Sequence, residues 1–191
     1  MTTVAVFAGS KTPNDPAIME TAALLGQKLA QAGIEVTYGG GTLGVMGALA
    51  SAALAAGGKV TAVILSQYED EPQFEGASKL FASSEQDRFR ILTSHNNPAA
   101  LFAVPGGPGT MREVMQAVEA AVYEGKTGVV LVQVGDYLDG LKQTFDRSVA
   151  AGLIRPERAD KLKLWPVTGD LAEVLPPPPP AIPGLYQGLG R

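Results

Sequence analysis

Short apolar runs recur along the chain and alternate with segments that carry helix start and stop signals. Apolar runs bounded by glycine and proline are typical of parallel strands that are buried on both faces. They are predicted at residues 4–7, 36–38, 60–65, 101–104 and 129–134, with weaker candidates at 79–82 and 162–165. The alternation predicts an α/β fold: a doubly wound, Rossmann-like parallel sheet of about seven strands flanked by helices.

Helix boundaries support the same architecture. Asp15 and Pro16 open the first predicted helix and Gly33 ends it, which is the usual placement of a cap, a proline and a terminal glycine. Further helices are predicted at residues 44–57, 85–94, 110–125 and 137–151, with a short one at 171–175. Residues 1–175 are therefore expected to form one domain. Residues 176–191 open with five prolines and are expected to form an extended tail that docks on its own domain or on a neighbouring subunit.

Composition excludes several classes of function. The 191 residues carry a net charge of −4, and their lysines and arginines are not clustered, so no nucleic-acid partner is expected. The absence of cysteine excludes disulfides, zinc ribbons and thiol catalysis, and a single histidine, His95, excludes a site built on several imidazoles. No leader-like or membrane-spanning run is present, so we expect a soluble cytoplasmic protein without a membrane partner.

Glycine-rich loops follow three of the predicted strands. They contain Gly9 and Ser10, residues 39–47 (GGGTLGVMG) and residues 105–110 (PGGPGT). In open parallel sheets ligands bind beyond the carboxyl ends of the strands. Glycines allow the backbone to approach a ligand, and a helix start offers free N–H groups and a positive dipole end. The loops are thus expected to cradle a phosphate, whereas the loop at Gly135 and Asp136 shows no such feature.

Two familiar phosphate motifs do not fit. Residues 39–44 match GxGxxG, but they follow the second strand, and no acidic residue ends the next strand, so the pattern disfavours a dinucleotide cofactor. Residues 105–110 are not a Walker A loop, since no lysine precedes Thr110.

Glu113 is the residue with the sharpest chemical interpretation, and two interpretations stay open. Thr110 and Glu113 have the spacing of a capping box, in which each side chain accepts a backbone N–H bond. Alternatively, the Glu113 carboxylate faces the phosphate cradle. There it would stabilise a sugar oxocarbenium ion or activate a water that attacks an anomeric carbon.

The two longer glycine loops carry a family resemblance. Residues 105–113 (PGGPGTMRE) follow the pattern PGGxGTxxE, and they occur together with residues 39–47 and the N-terminal segments 7–10 (FAGS) and 14–16 (NDP). The chain resembles, to about Leu175, the LOG (Lonely guy) family of cytokinin riboside 5′-monophosphate phosphoribohydrolases. Members of this family often carry the label "possible lysine decarboxylase".

In that family a glutamate of the pattern and an arginine upstream form the catalytic pair. The resemblance places them at Glu113 and Arg90, the latter fifteen residues before the proline that opens the pattern. Members usually read Met-His-Glu-Arg-Lys around the arginine. This chain departs from that pattern, with Arg88, Phe89 and Ile91 in place of the histidine, glutamate and lysine.

The resemblance also implies a set of phosphate- and nucleotide-binding residues. These are Gly9, Ser10, Gly39, Gly40, Gly41, Thr42, Gly44, Met46, Gly106, Gly107, Gly109 and Thr110. The implied reaction is hydrolysis of the N-glycosidic bond of a nucleoside 5′-monophosphate, of the AMP or cytokinin type, to free base and ribose 5-phosphate. This reaction needs neither a metal nor another cofactor. The resemblance also implies that the protein forms a homodimer or a higher homo-oligomer.

Other functions remain open. Proteins that resemble molybdenum-cofactor carriers, and nucleotide sensors, use the same fold and loops without catalysis, and an oligomeric scaffold with an unused pocket is a further alternative. Amino-acid decarboxylation is disfavoured because it normally requires pyridoxal phosphate on an activated lysine. Only Lys11 lies near a predicted strand end in the crevice.

Overall fold

The computed structural model describes residues 2–176 of the chain. The predicted proline-rich tail after Pro176 lies outside the described residues. None of the helices in the described part is both long and apolar enough to cross a lipid bilayer.

Seven parallel strands form one sheet in the order β4-β3-β2-β1-β5-β6-β7. Their bounds are Thr3–Phe7 (β1), Glu35–Tyr38 (β2), Val60–Leu65 (β3), Ser78–Ala82 (β4), Ala100–Ala103 (β5), Val129–Gln133 (β6) and Leu162–Pro166 (β7). All seven predicted strands are present within one or two residues of their predicted bounds. The predicted doubly wound parallel sheet is confirmed.

Five α-helices connect the strands. They are Pro16–Gln31 (α1), Gly44–Ala55 (α2), Glu85–Ser94 (α3), Pro108–Tyr123 (α4) and Asp139–Ala150 (α5). Buried residues of α1 and α2 pack on one face of the sheet, and those of α3, α4 and α5 pack on the other. The predicted start of α1 is confirmed: Asp15 accepts a hydrogen bond of 3.0 Å from the Ala17 N–H.

The core is built by alternation along the strands, since successive side chains point to opposite faces of a sheet. In β1, Val4 and Val6 belong to the apolar cluster on the α1 and α2 side, whereas Ala5 and Phe7 belong to the cluster on the other side. Trp165 of β7 is fully buried and packs against Phe102 of β5, with 5.8 Å between the two ring centroids. Both faces are therefore covered, which explains the continuous apolar runs in the sequence.

Three helix predictions were wrong in detail. Helix α4 begins at Pro108, two residues earlier than predicted, because proline is well suited to the first helical position. Helix α5 begins at Asp139 and not near Tyr137, since residues 134–138 form a bend and a turn in which the Tyr137 N–H bonds to the Val134 carbonyl. The last short helix is a 3-10 turn, Leu171–Glu173.

The sheet has its topological switch between β1 and β5. The chain proceeds from β1 outwards through β2, β3 and β4, and then returns to place β5 on the other side of β1. The chain continues from β1 to α1 on one face of the sheet and from β5 to α4 on the other, so a crevice opens at the carboxyl edge between these two connections.

Candidate active site

A cavity of about 700 Å³ occupies this crevice. Its walls are formed by the loops after β1 and β5, the first turns of α2 and α4, and side chains from α3. The residues that the argument uses are Gly9, Lys11, Arg88, Gly106, Glu113 and Tyr137.

The floor of the cavity is a contact between two backbones. A methyl group on Gly9 would lie 3.3 Å from the Gly106 Cα, and one on Gly106 would collide with the Thr110 side chain. The Gly9 carbonyl in turn accepts a hydrogen bond of 3.0 Å from the Met46 N–H in the first turn of α2. Glycine at both positions lets the β1 and β5 loops meet directly, with α2 attached to them.

The N-terminus of α4 opens into this cavity. Its cap residue is Gly107, which provides no side-chain hydrogen bond, and Pro108 follows at the first position. The first intrahelical bond runs from the Met111 N–H to the Gly107 carbonyl at 3.1 Å. The N–H groups of Gly109 and Thr110 precede this bond, so they can serve an anion, towards which the helix dipole also points.

Glu113 lies one turn further along α4 and is 7% exposed. The capping-box interpretation is wrong, because α4 begins five residues before Glu113 and its cap makes no side-chain bond. The carboxylate Oε1 instead lies 3.4 Å from Nη1 of Arg88. Burial raises the pKa of Glu113, the positive charge of Arg88 counteracts this rise, and the nearby Glu85 adds to it.

Arg88 is held in place by four groups. Its Nε donates to the Val63 carbonyl within β3 at 3.2 Å, and its Nη2 donates to the carbonyl of Gly39, the residue that follows β2, at 3.1 Å. Nη1 is shared between Glu85, at 3.3 Å, and Glu113. With only 13% of its side chain exposed, Arg88 joins the sheet to the buried carboxylate.

Arg112 completes the charged wall. Its Nη2 lies 3.0 Å from Oε2 of Glu85, the same oxygen that contacts Arg88. Two arginines and two glutamates therefore alternate along one side of the cavity, with their charges balanced.

Arg90 points elsewhere. Its side chain is 69% exposed, and its Nη2 lies 2.7 Å from Asp87 on the surface of α3, where this hydrogen bond lowers the pKa of the Asp87 carboxyl. Positions two apart on a helix differ by about 200° in direction, so Arg88 and Arg90 cannot share a face. The structure brings Glu113 together with Arg88 and not with Arg90.

The second glycine loop contributes less to the cavity than expected. Gly39, Gly40, Gly41, Thr42 and Gly44 do not line it, whereas Met46 does. A methyl group on Gly39 would collide with the Arg88 guanidinium, and a methyl group on Gly44 would collide with the Lys11 carbonyl. The second glycine loop thus packs against two residues that line the cavity, Arg88 and Lys11, without lining it through its own glycines. Of the predicted binding residues, those that line the cavity are Gly9, Ser10, Met46, Gly106, Gly107, Gly109 and Thr110.

Tyr137 is the functional candidate that the sequence did not indicate. It lies in the loop between β6 and α5, lines the cavity, and its hydroxyl donates a hydrogen bond of 3.0 Å to the Gly106 carbonyl. A lone tyrosine after a strand carries no chemical pattern, so only the folded structure connects it to the site.

The chain is similar to one protein family, to named proteins in sequence, and to solved structures in fold. The family model described as "possible lysine decarboxylase" matches residues 46–176. The chain is 31% identical over 160 residues to the probable cytokinin riboside 5′-monophosphate phosphoribohydrolase LOGL1 of Oryza sativa, covering 81% of this chain and 70% of that protein. It is 30% identical over 159 residues to cytokinin riboside 5′-monophosphate phosphoribohydrolase LOG1 of Arabidopsis thaliana, covering 80% of this chain and 72% of that protein.

A solved structure of similar fold is the Moco carrier protein of Chlamydomonas reinhardtii. It superposes with a TM-score of 0.63 at 25% identity and covers 91% of this chain and 94% of the carrier. The chain is thus similar in sequence to proteins named as phosphoribohydrolases and similar in fold to a carrier protein.

Proposed function

The chain belongs to the family described as "possible lysine decarboxylase", and it is 31% and 30% identical in sequence to two LOG proteins. On this premise we propose that it is a nucleoside 5′-monophosphate phosphoribohydrolase. It would hydrolyse the N-glycosidic bond of an AMP-like or cytokinin riboside monophosphate and release free base and ribose 5-phosphate. The observation that carries the proposal is the buried Glu113 carboxylate, ion-paired to Arg88 in the cavity that the glycine loops line.

The glycine loops suit the 5′-phosphate. Gly9 and Gly106 leave room for close approach, and α4 presents the backbone N–H groups of Gly109 and Thr110 at its positive end. Lys11 lines the same cavity and supplies a positive charge at its edge. A phosphate held there anchors the ribose, so the anomeric carbon can be presented to the charged wall.

Glu113 suits the bond cleavage. When the C1′–N bond breaks, its electron pair leaves with the base nitrogen and the sugar becomes an oxocarbenium ion. A carboxylate beside C1′ stabilises that positive charge, or orients a water whose oxygen bonds to C1′ while its proton is released and the base is protonated. The positive charge of Arg88 favours the ionised form of Glu113 and counteracts the rise of its pKa, and we propose Arg88, instead of Arg90, as its functional partner.

Decarboxylation of lysine, which the family description suggests, has no support in this cavity. Schiff-base lysines are activated by burial or by a neighbouring cation. Lys11 is the one lysine among the residues that line the described cavity, and it is exposed to solvent.

The test is a base-release assay with AMP and N6-isopentenyl AMP, followed by chromatography. The parent protein should release base, and Glu113→Gln should reduce the rate on the order of 10²–10⁴-fold while nucleotide binding and the melting temperature are kept. Glu20→Gln is the matched control, since Glu20 lies exposed on α1 and outside the cavity. Equal rates for the parent and Glu113→Gln would remove Glu113 from the mechanism.

A non-catalytic carrier of a nucleotide or of the molybdenum cofactor is the second candidate. It is favoured by the likeness to the Moco carrier protein, which superposes on this chain with a TM-score of 0.63. In that case neither nucleotide releases base, while the parent and Glu113→Gln bind phosphorylated ligands equally well.

We further propose that the protein is a homodimer. Met115 and Tyr123 of α4 are 52% and 76% exposed, and they border an apolar groove between α4 and α5. A second copy of this chain would cover that face.

A further inference from the structure

The loop between β6 and α5 reaches the cavity through Tyr137 alone. The chain leaves β6 through Gly135, which has a φ of 53°, and turns before α5 begins at Asp139. The turn directs Tyr137 across the β5 loop, where its hydroxyl donates to the Gly106 carbonyl at 3.0 Å. The bond joins two segments that are 31 residues apart in the chain.

This hydrogen bond is made to the carbonyl of the peptide group that joins Gly106 and Gly107. In a trans peptide the carbonyl of one residue and the N–H of the next point in opposite directions. A bond that fixes the Gly106 carbonyl therefore also fixes the direction of the Gly107 N–H. The Gly107 nitrogen lies on the Gly9 side of the loop, 3.8 Å from where a Gly9 methyl would be, and both glycines line the cavity.

A peptide between two glycines is the kind most easily rotated, because neither residue has a Cβ that restricts its backbone angles. Rotation of the Gly106–Gly107 peptide would turn a carbonyl dipole towards the position where an N–H is needed for an anion. The first turn of α4 uses the Gly107 carbonyl, which belongs to the next peptide, and not the Gly107 N–H, so the hydrogen bonds of α4 do not prevent this rotation. The Tyr137 hydroxyl is the side-chain group that bonds the Gly106 carbonyl among the described residues.

We propose that Tyr137 is a positioning residue for phosphate: its hydroxyl holds the Gly106–Gly107 peptide with the N–H available to the phosphate of the ligand. The inference rests on the proposed function in taking the β5 loop as the phosphate cradle. Tyr137 touches neither Arg88 nor Glu113 through a hydrogen bond or ion pair in the described part of the chain, so its effect is on binding and not on bond cleavage.

The test compares Tyr137→Phe with the parent protein by calorimetric titration of ribose 5-phosphate and of adenosine, with no turnover required. The substitution removes only the hydroxyl and keeps the ring in the cavity wall. A neutral hydrogen bond contributes on the order of 1 kcal/mol, which corresponds to roughly 5-fold in affinity. We expect the affinity for ribose 5-phosphate to fall by about that factor and the affinity for adenosine to stay unchanged.

Tyr68→Phe is the matched control. Tyr68 is 45% exposed, close to the 50% of Tyr137, but it lies outside the cavity. It should leave both affinities at the parent values. In turnover assays, Tyr137→Phe should raise KM for a nucleoside monophosphate and leave kcat within about 2-fold, a split that a general loss of structure would not produce.

The possible results separate the inference from the proposed function. Loss of ribose 5-phosphate affinity in Tyr137→Phe supports the inference even if the parent releases no base, and in that case only the hydrolase proposal fails. Unchanged affinity for ribose 5-phosphate overturns the inference. So does an equal loss for adenosine and ribose 5-phosphate, since it shows that Tyr137 shapes the cavity without acting on phosphate.

Discussion

Arg88 and Glu113 lie on different helices, 25 residues apart in sequence, yet Nη1 of the arginine is 3.4 Å from Oε1 of the glutamate. The pair is enclosed: 13% of the arginine side chain and 9% of the glutamate side chain are exposed. A charged pair removed from solvent interacts more strongly than one at the surface and needs both partners. Each of the two residues is therefore a sensitive target for mutation.

Substitution of Arg88 should have a far larger effect than substitution of Arg90. Arg88→Gln removes the charge that counteracts the raised pKa of Glu113, so activity should fall on the order of 10²-fold and the remaining activity should require a higher pH. Arg90→Gln breaks only a surface pair and should change the rate by less than about 2-fold. Initial rates measured against pH check this, and a greater loss in Arg90→Gln would reverse the assignment.

The raised pKa of Glu113 should also be visible in stability. A carboxyl whose pKa is higher in the folded than in the unfolded chain binds its proton more tightly when folded. The free energy of unfolding therefore falls as pH rises from the ordinary glutamate pKa through the raised value. Glu113→Gln, neutral at every pH, escapes this loss.

We accordingly expect Glu113→Gln to be at least as stable as the parent at about pH 8, and to lose this advantage towards about pH 4. Thermal unfolding across that range provides the measurement, with Glu20→Gln, at an exposed position of α1, as the control. A stability difference between parent and variant that does not change with pH would contradict a raised pKa.

A methyl group at Gly39 should lower both activity and stability. It would collide with the Arg88 guanidinium, which is buried and bonded to four groups, and it would lie 2.9 Å from the Met46 sulfur, so the hydrogen bond to the Gly39 carbonyl would be lost. Gly39→Ala should therefore lower the rate of base release on the order of 10-fold and the free energy of unfolding by about 1–3 kcal/mol. Gly140→Ala, where the added methyl meets no atom, should change neither rate nor fold.

Lys28 should contribute to the attachment of the last described segment. Its ammonium group donates to the Val167 carbonyl at 3.0 Å and to the Gly169 carbonyl, and it lies 5.5 Å from the centroid of the Trp165 ring. Lys28→Met keeps the aliphatic stem and removes these interactions, which should lower the free energy of unfolding by about 1–3 kcal/mol in urea titration. Lys59→Met, at an exposed position, is the control, and equal values for the two variants would refute this role.

The proposed dimer predicts that α4 carries the interface. Tyr123→Lys places a charge on the exposed apolar face and should weaken self-association at least about 10-fold. Tyr68→Lys, at a distant exposed tyrosine, should leave association unchanged. Sedimentation velocity of the three proteins gives the comparison, and a parent that is monomeric at all concentrations would end the proposal.

The architecture was predictable because strand runs and helix ends are local signals. Asp15 with Pro16 marked the start of α1 correctly, and every apolar run became a strand of the sheet. Local signals also located the glycine loops after β1 and β5, whose meeting at the crevice follows from the topology of such sheets.

The site was predictable only in part because it depends on side-chain direction and on contacts between distant segments. The family resemblance placed the catalytic arginine at Arg90, whereas helical periodicity places Arg88, four residues before the buried Leu92, on the inward face of α3 beside Glu113. No comparable signal existed for Tyr137, because its hydrogen bond joins two loops that approach one another only in the folded sheet.

The floor on which Gly9 meets Gly106 consists of main chain, so its groups are supplied by the backbone itself, and a Cβ added at either position would disturb it directly. The charged wall consists of side chains such as Glu85 and Arg112, which single substitutions can exchange. On the proposed function, binding of phosphate and cleavage of the glycosidic bond therefore depend on different parts of the polypeptide. Substitutions in the wall would then alter the chemistry while the backbone that binds the ligand stays the same.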